Sequence, residues 1–259
     1  MKENKITSPE ATPRISLKGD DTFSFRCHPG VSCYLTCCHK VELCLFPYDV
    51  VRLKKCLGMH SAKFIHTYCR IGEGSHPYFP SLMLNMAEKE NYPCPFLTRD
   101  GCLVYPDRPS ACRTYPLERG VEKCGLRAQL RAHYSLVRHP YCKGHEEEGT
   151  YFTVKQWERD QKLLEYNLMN DLWAELDAFF ATNPWEGEGA AGPRQQLSFM
   201  VCYDIDGFRD YVLRHNLLDR YRIDRDRRRR MERDDVELLK FGFQWLPVVL
   251  GGRNTLSPR

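Results

Sequence analysis

The 259-residue sequence has no apolar segment long enough to cross a membrane. A membrane-spanning helix needs about 20 consecutive apolar residues, and the sequence contains no such run. The first 20 residues also lack the apolar core and the small-residue cleavage site of a secretory signal. We therefore expect a cytoplasmic protein with no membrane-bound segment.

The sequence also has little excess of one charge. It contains 38 Lys and Arg residues against 34 Asp and Glu residues, a net charge of +4 that by itself predicts neither a nucleic-acid nor a membrane partner. The main basic run is Arg227–Arg230, yet the segment from 219 to 235 holds eight arginines and six acids. Such alternation is typical of a solvated, salt-bridged helix face. Contact with nucleic acid through Arg227–Arg230 is therefore an alternative and not the main prediction.

Cysteine, by contrast, is abundant and clustered. Thirteen cysteines occur, and in a reducing compartment such clusters indicate metal ligands rather than disulfides. Zinc and iron–sulfur clusters both take thiolate ligands, often several from one short loop. Eight thiols suffice for two tetrathiolate sites, or for one such site and four further cysteines that do not bind the metal. The predicted ligands are Cys27, Cys33, Cys37, Cys38, Cys94, Cys102, Cys112 and Cys142.

Cys37 and Cys38 are adjacent, which limits how they can bind metal. Neighbouring side chains diverge by about 100° on a helix and about 180° on a strand. Either the two cysteines serve different metal centres, or one is a ligand and the other packs. Arg113 directly follows Cys112, and it either balances thiolate charge or is an ordinary surface arginine.

The other cysteines stand apart from this set. A free cysteine packs as a small apolar residue, and this interpretation applies to Cys56, Cys124 and Cys202. Cys44 and Cys69 lie near the clusters in sequence, so their role stays open.

The cysteine-rich half predicts short elements. Pro47 suits the first turn of a helix that ends before Gly58. Ser61 suits the N-cap of a second helix. Residues 78–86 are predicted to form a strand or a connector, and Asp100-Gly101 is predicted to form the turn of a hairpin.

The remainder predicts longer helices. Thr153 and Gln156 form a capping box for one long helix that ends near Phe180, with an apolar stripe of Leu164, Leu168, Leu172, Leu176 and Phe180. Residues 197–203 suggest a strand, although a short apolar run does not distinguish a strand from a buried helix. Asp204 caps a further helix, and a last helix starts at Asp235 and is stopped or kinked by Pro247.

The predicted fold class is mainly α with short β strands: a small cysteine-rich metal-binding domain plus a helical C-terminal region. The predicted boundaries are a disordered N-terminal segment (1–20), the cysteine-cluster domain (21–150), the helical region (151–250) and a tail (251–259). Both cysteine sets are expected to converge within the first domain.

The second cysteine block carries a resemblance to a known family. Its residues are CPFL (94–97), Gly101-Cys102, Val104-Tyr105, Arg108-Pro109 and Cys112-Arg113-x-Tyr115-Pro116. This pattern resembles the YkgJ-type cysteine-cluster family of zinc- or iron-chelating domains over roughly residues 24–145. The first set departs from the family pattern, with five residues between Cys27 and Cys33. Residues 141–145 are similar to the Cys-x-Gly element that ends the domain.

The resemblance implies a bound zinc or iron ion, with an iron–sulfur cluster as an alternative. One relative, flagellin lysine-N-methylase, combines a similar cluster with S-adenosylmethionine chemistry, which implies an iron–sulfur-dependent methyltransferase as another alternative. The sequence shows no glycine-rich cofactor loop after a strand. Two classes of function follow: a module with a structural metal and an unknown protein partner, or an enzyme.

Overall fold

The computed structural model describes residues 13–124, 129–147, 149–252 and 255–259. The chain divides into two compact units that are interleaved along the sequence. The first unit comprises Met1–Cys37 and Thr114–Gln161, and the second comprises Cys38–Arg113 and Lys162–Arg259. Among the described residues, no helix combines the length and the apolar character needed to cross a membrane.

The first unit is built mainly from antiparallel strands. A three-stranded sheet has the order β1-β9-β8, and β2 pairs with β10 in a second, smaller sheet. The elements are β1 (Arg14–Leu17), β2 (Thr22–Ser24), β8 (Leu117–Cys124), β9 (Gln129–Val137), a 3-10 helix (Lys143–His145), β10 (Tyr151–Thr153) and α4 (Val154–Asp160).

An aromatic cluster forms the core of this unit. The Trp157 ring lies edge-on to Phe23 and Phe25, with ring centroids 5.7 and 5.8 Å away. Its indole N–H donates a hydrogen bond to the Thr114 carbonyl at 2.9 Å, which satisfies the polar group of a buried ring. Thr153 and Gln156 form the predicted capping box that places Trp157 on α4.

The second unit is mainly helical. Its strands are β3 (Cys44–Leu45), β4 (Cys69–Gly72) and β5 (Ser81–Leu84), in the order β3-β5-β4, and the hairpin of β6 (Leu97–Thr98) and β7 (Gly101–Cys102). Its helices are α1 (Pro47–Cys56), α2 (Ser61–Tyr68), α3 (Ser110–Thr114), α5 (Leu164–Phe180), α6 (Pro193–Tyr203), α7 (Ile205–Arg214), α8 (Arg225–Arg233) and α9 (Asp235–Val249). Two short 3-10 helices span Tyr105–Asp107 and Leu217–Arg220, and a third, Thr36–Cys38, contains the point in the sequence where the first unit gives way to the second.

Helix α9 is the centre of this unit. It packs against α5, α6, α7 and α8, and its side chains Leu239, Phe241 and Leu246 are fully buried. Pro247 lies inside the helix and does not stop it, since α9 continues to Val249. The fold class is therefore as predicted, mainly α with short strands in small sheets.

Several predicted elements have the expected position. Pro47 begins α1, Asp204 accepts a hydrogen bond from the Gly207 N–H as the cap of α7, and Asp100-Gly101 lies at the turn between β6 and β7. Ser61 begins α2 but is not its cap, because its hydroxyl donates to Asp204 instead.

The predicted long helix from 153 to 180 is wrong, because the chain breaks it into α4 and α5 around Lys162, which has a positive φ of 54°. The predicted stripe is also wrong in its first half. Leu164 and Leu168 are 84% and 52% exposed. A spacing of four residues drifts about 40° per step around a helix, so such a row does not stay on one face. The buried row alternates steps of three and four residues: Tyr166, Met169, Trp173, Leu176 and Phe180.

Two further predictions need correction. Residues 197–203 belong to α6 rather than to a strand, and Pro193 starts that helix. In the segment predicted to be disordered, residues 1–12 lie outside the described part, whereas Arg14–Leu17 form β1. These residues form a strand because they pair with β9, which their local composition does not indicate. The predicted boundaries at 150 and 250 stay predictions.

Candidate metal centre

The eight predicted ligands divide evenly between the two compact units, and the division falls between the adjacent Cys37 and Cys38. In the first unit lie Cys27, Cys33, Cys37 and Cys142; in the second lie Cys38, Cys94, Cys102 and Cys112.

Cys33 and Cys142 are neighbours in the first unit. The backbone N–H of Lys143 donates a hydrogen bond to the sulfur of Cys33, with an N···S distance of 3.0 Å. Burial raises the pKa of Cys142 and the adjacent Cys33 raises it further, while Tyr115 and the Gly144 N–H lower it. Two sulfurs therefore lie together, each with a backbone N–H as donor.

Gly144 explains how the segment after Cys142 comes so close to the first cysteine set. Its carbonyl accepts a hydrogen bond from the Arg26 N–H at 2.9 Å. A Cβ at position 144 would lie 2.6 Å from the Arg26 carbonyl oxygen and 2.8 Å from the Phe25 ring. Only glycine permits this approach without a shift of the backbone.

Tyr115 lies beside the same sulfurs. Burial raises the pKa of its hydroxyl well above the ordinary value, and the neighbouring Cys142 and the charge of Cys37 raise it further. Its ring also stacks on His139, 5.8 Å away between centroids, and His139 stacks on Tyr141 at 5.1 Å. A stack of three aromatic rings thus begins at Tyr115, beside Cys142 and Cys37.

In the second unit, the backbone joins the two cysteine sets. The N–H of Cys94 donates to the carbonyl of Cys38 at 2.7 Å, and the N–H of Lys40 donates to Tyr92 at 3.0 Å. The end of the first set and the start of the second therefore lie side by side, although the chain separates them by more than 50 residues.

Cys102 lies on β7, opposite Leu97 of the hairpin. Cys56, at the end of α1, is exposed and lies near Cys102 and Asp107, and its pKa is raised by partial burial and by the Asp107 carboxylate. The interpretation of Cys56 as a packing residue is therefore wrong. Cys56 is exposed to solvent at the last residue of α1.

Cys112 is exposed on the short helix α3, which α1 holds in place. The buried Asp49 carboxylate accepts hydrogen bonds from the Ser110 N–H at 2.8 Å and from the Phe46 N–H at 2.9 Å. Burial raises the pKa of Asp49 to about 6, although these hydrogen bonds and the charge of Arg113 lower it.

Arg113 is buried, with 5% of its surface exposed, so the surface alternative is wrong. Its guanidinium donates to the Pro106 carbonyl and lies over the Tyr166 ring, 4.9 Å from the centroid. Within this unit, its positive charge lowers the pKa of Asp49. The buried Arg113 side chain therefore anchors helix α3, which also carries the exposed Cys112.

Of the remaining cysteines, Cys44, Cys69 and Cys202 are at least half-buried. Cys202 is fully buried on α6, as predicted for a packing residue, and burial raises its pKa well above the ordinary value. Cys69 is half-buried on β4, and burial raises its pKa to about 12. Burial also raises the pKa of Cys44 on β3. Such thiols stay protonated at neutral pH. The side chain of Cys124 lies outside the described part.

The donor chemistry of this region fits a thiolate-bound metal. Sulfur ligands that accept backbone N–H hydrogen bonds are the usual surroundings of zinc and iron–sulfur sites, and Cys33 has this arrangement. Within the described ranges, no three or more His, Cys, Asp and Glu side chains are already grouped as a metal site. The set of eight ligands therefore stays a prediction.

Sequence reasoning did not assign Asp49 or Tyr115 a role at the site, although Tyr115 stands in the motif Cys-Arg-x-Tyr-Pro. The position of Tyr115 only three residues after Cys112 could have indicated a role near the cysteines. The sequence around Asp49 does not indicate its role, because Asp49 contacts Ser110 only in the folded protein.

Comparison with known protein families shows a match over the cysteine-rich part of the chain. The family model CxxCxxCC, described as "Putative zinc- or iron-chelating domain", matches residues 26–143. No curated protein and no solved structure matches the chain. The match begins one residue before Cys27 and ends one residue after Cys142, so it includes all eight predicted ligands. Residues 26–143 are therefore similar to the CxxCxxCC family of putative zinc- or iron-chelating domains, and this similarity supports metal binding by that segment.

Proposed function

We propose that the protein holds zinc or iron through cysteine thiolates in a reducing, cytoplasmic setting, and that Cys33 and Cys142 bind the same metal centre. The observation that carries this proposal is the pairing of these two sulfurs beside the Lys143 N–H. The two cysteines stand at opposite ends of the matched segment, so a shared metal would close the domain on itself.

The surrounding residues have defined roles in this proposal. The N–H groups of Lys143 and Gly144 donate to the two sulfurs and stabilise their charged form. Burial raises the pKa of Cys142, and the hydroxyl of Tyr115 beside it offsets part of this increase, which favours the thiolate. The bound metal would supply the positive charge that the half-buried thiolates need.

The donor set does not select the metal, because zinc and iron–sulfur clusters both accept four thiolates. Anaerobic purification without chelator, followed by elemental analysis and a visible absorption spectrum, separates these alternatives. Colourless protein with bound zinc supports a structural module with a protein partner. Brown protein with iron and acid-labile sulfide would favour an iron–sulfur centre and open the question of an enzymatic role.

The ligand assignment is tested by serine substitution. Cys33→Ser, Cys142→Ser and the double variant should each lose the same metal equivalent, because both sulfurs serve one centre. Cys112→Ser should also lose metal, whereas Cys202→Ala should retain the wild-type content because its thiol is buried in the helical core. Metal content and the thermal melt are measured for each variant. Full occupancy in Cys33→Ser and Cys142→Ser would overturn the proposal.

A further inference from the structure

The arginine tract forms the amphipathic helix α8, Arg225–Arg233, and only one of its side chains, Met231, is fully buried. The helix packs against α9. Four consecutive arginines on such a helix cannot all face one side, because successive residues turn by about 100°. The fold therefore sorts the arginines into two groups.

The arginines on the side of Met231 are used within the protein. Arg227 donates a hydrogen bond to the Gln244 side chain of α9. Arg228 forms an ion pair with Asp219 at 2.6 Å. Both side chains are half-buried. Their role is to attach α8 to its neighbours, and they are not available to a partner.

The opposite side of the helix presents an arginine ridge, which we define as Arg225, Arg229 and Arg233. These residues follow one another at intervals of four, so the row turns by only about 80° around the helix from its first residue to its last, and all three are exposed. Within the described residues, none of the three forms an ion pair, whereas Arg230 lies 3.9 Å from Glu237.

The charges around the ridge leave it positive. The outward half of α8 carries Arg225, Arg229, Arg230 and Arg233 against Asp226 and Glu232, so its net charge is 4 − 2 = +2. Arg220 and Arg222 precede the helix and are also exposed. The segment that contains Arg220 and Arg222 is held against residues 257–259 by two backbone hydrogen bonds. The Arg222 N–H donates to the Ser257 carbonyl, and the Arg259 N–H donates to the Arg220 carbonyl. This segment adds no net charge, because Asp219 and Asp224 balance Arg220 and Arg222, so the excess positive charge lies on the helix itself.

We propose that the arginine ridge binds the phosphodiester backbone of a nucleic acid. The row is about 12 Å long, since a helix rises about 1.5 Å per residue, and it spans roughly three to four nucleotides of one strand at about 3.4 Å each. Guanidinium groups match phosphate oxygens in a planar, bidentate geometry. The ridge has no aromatic side chain in the row, so binding depends on phosphate and not on base identity.

The test measures the affinity of the full-length, metal-loaded protein for a labelled duplex DNA and a labelled single-stranded RNA at several salt concentrations. The variant Arg225→Gln/Arg229→Gln/Arg233→Gln removes the ridge and keeps good helix formers. It should bind roughly tenfold more weakly or worse at low salt. For the duplex, the slope of log affinity against log salt should fall by about 3. The two nucleic acids show which backbone is preferred.

A matched control removes the same charge elsewhere. Lys63→Gln/Lys155→Gln/Arg159→Gln changes three exposed cations on α2 and α4 and should retain wild-type affinity and slope. Unchanged circular dichroism and metal content confirm that the ridge variant is folded. The inference is overturned if the wild type does not bind at low salt, or if both triple variants bind equally. Equal binding to polyglutamate or to anionic vesicles would also overturn it, because the ridge would then recognise negative charge without preference for nucleic acid.

Discussion

Lys143 and Cys33, separated by 110 residues in the sequence, are joined by an N–H···S hydrogen bond of 3.0 Å. This contact brings the last part of the matched domain to its first cysteine set. It depends on Gly144, which lies directly against the backbone of Arg26. The geometry of the proposed centre is therefore sensitive to a single methyl group.

We expect Gly144→Ala to lower both metal content and stability. The added Cβ would lie 2.6 Å from the Arg26 carbonyl oxygen, so the segment carrying Cys142 must move. Overpacking of this kind costs about 1–3 kcal/mol. Elemental analysis and urea unfolding measure the two effects.

Gly189→Ala is the matched control, because a Cβ there meets no atom within 4 Å and the backbone has an ordinary φ. It should keep the wild-type metal content and free energy of unfolding. If Gly144→Ala behaves like this control, the close approach of residue 144 does not position Cys142.

The buried Asp49 predicts a pH-dependent stability. Its pKa is about 6 in the folded protein, compared with 3.8 as the reference for the unfolded chain. Between these values the folded state binds more protons, so the free energy of unfolding should fall as pH rises from about 4 to 6. Two pKa units correspond to about 3 kcal/mol.

Asp49→Asn removes this titration. We expect the variant to lose most of the decrease between pH 4 and 6, relative to the wild type. At about pH 4 it should be less stable than the wild type by about 1–3 kcal/mol, because an amide nitrogen would face a backbone N–H that now donates to the carboxylate. This difference should disappear or reverse near pH 7, because the wild type alone loses stability as Asp49 ionises. Urea unfolding at several pH values tests this, and identical slopes in both proteins would contradict the assignment.

Lys54 should be a major contributor to the stability of the helical unit. Its ammonium lies 2.8 Å from Asp206 and 2.7 Å from Asp235, and little of it is exposed. Lys54→Gln leaves two poorly solvated carboxylates close together. We expect a loss of about 2–4 kcal/mol in the free energy of unfolding.

Lys55→Gln changes the exposed neighbour on the same helix and should alter stability by less than about 0.5 kcal/mol. Metal content should be unchanged in both variants, because Lys54 contacts α7 and α9 rather than the cysteine region. A thermal melt of Lys54→Gln that matches that of Lys55→Gln would show that the ion pairs contribute nothing measurable.

Local chemistry made several parts of this protein predictable. Pro47, Asp204 and the Thr153–Gln156 capping box mark helix starts because each acts within one turn of the backbone. The cysteine spacings and the block from 94 to 116 indicate metal chelation because thiolate ligands are chosen for their chemistry, and the family match over 26–143 agrees.

Tertiary structure decided the rest. The buried row of α5 passes through Met169 and Trp173 because that face of the helix meets α9, and the helix begins only after the break at Lys162. The spacing of leucines in the sequence does not show which face of a helix will meet a neighbour. The strand Arg14–Leu17 forms only because β9 supplies its partner. In the same way, Cys33 meets Lys143, and Ser110 meets Asp49, across long separations in sequence. The sequence by itself determined which residues can bind metal, because that is a property of the thiol; only the fold determined which thiols are neighbours, because distance is a property of packing.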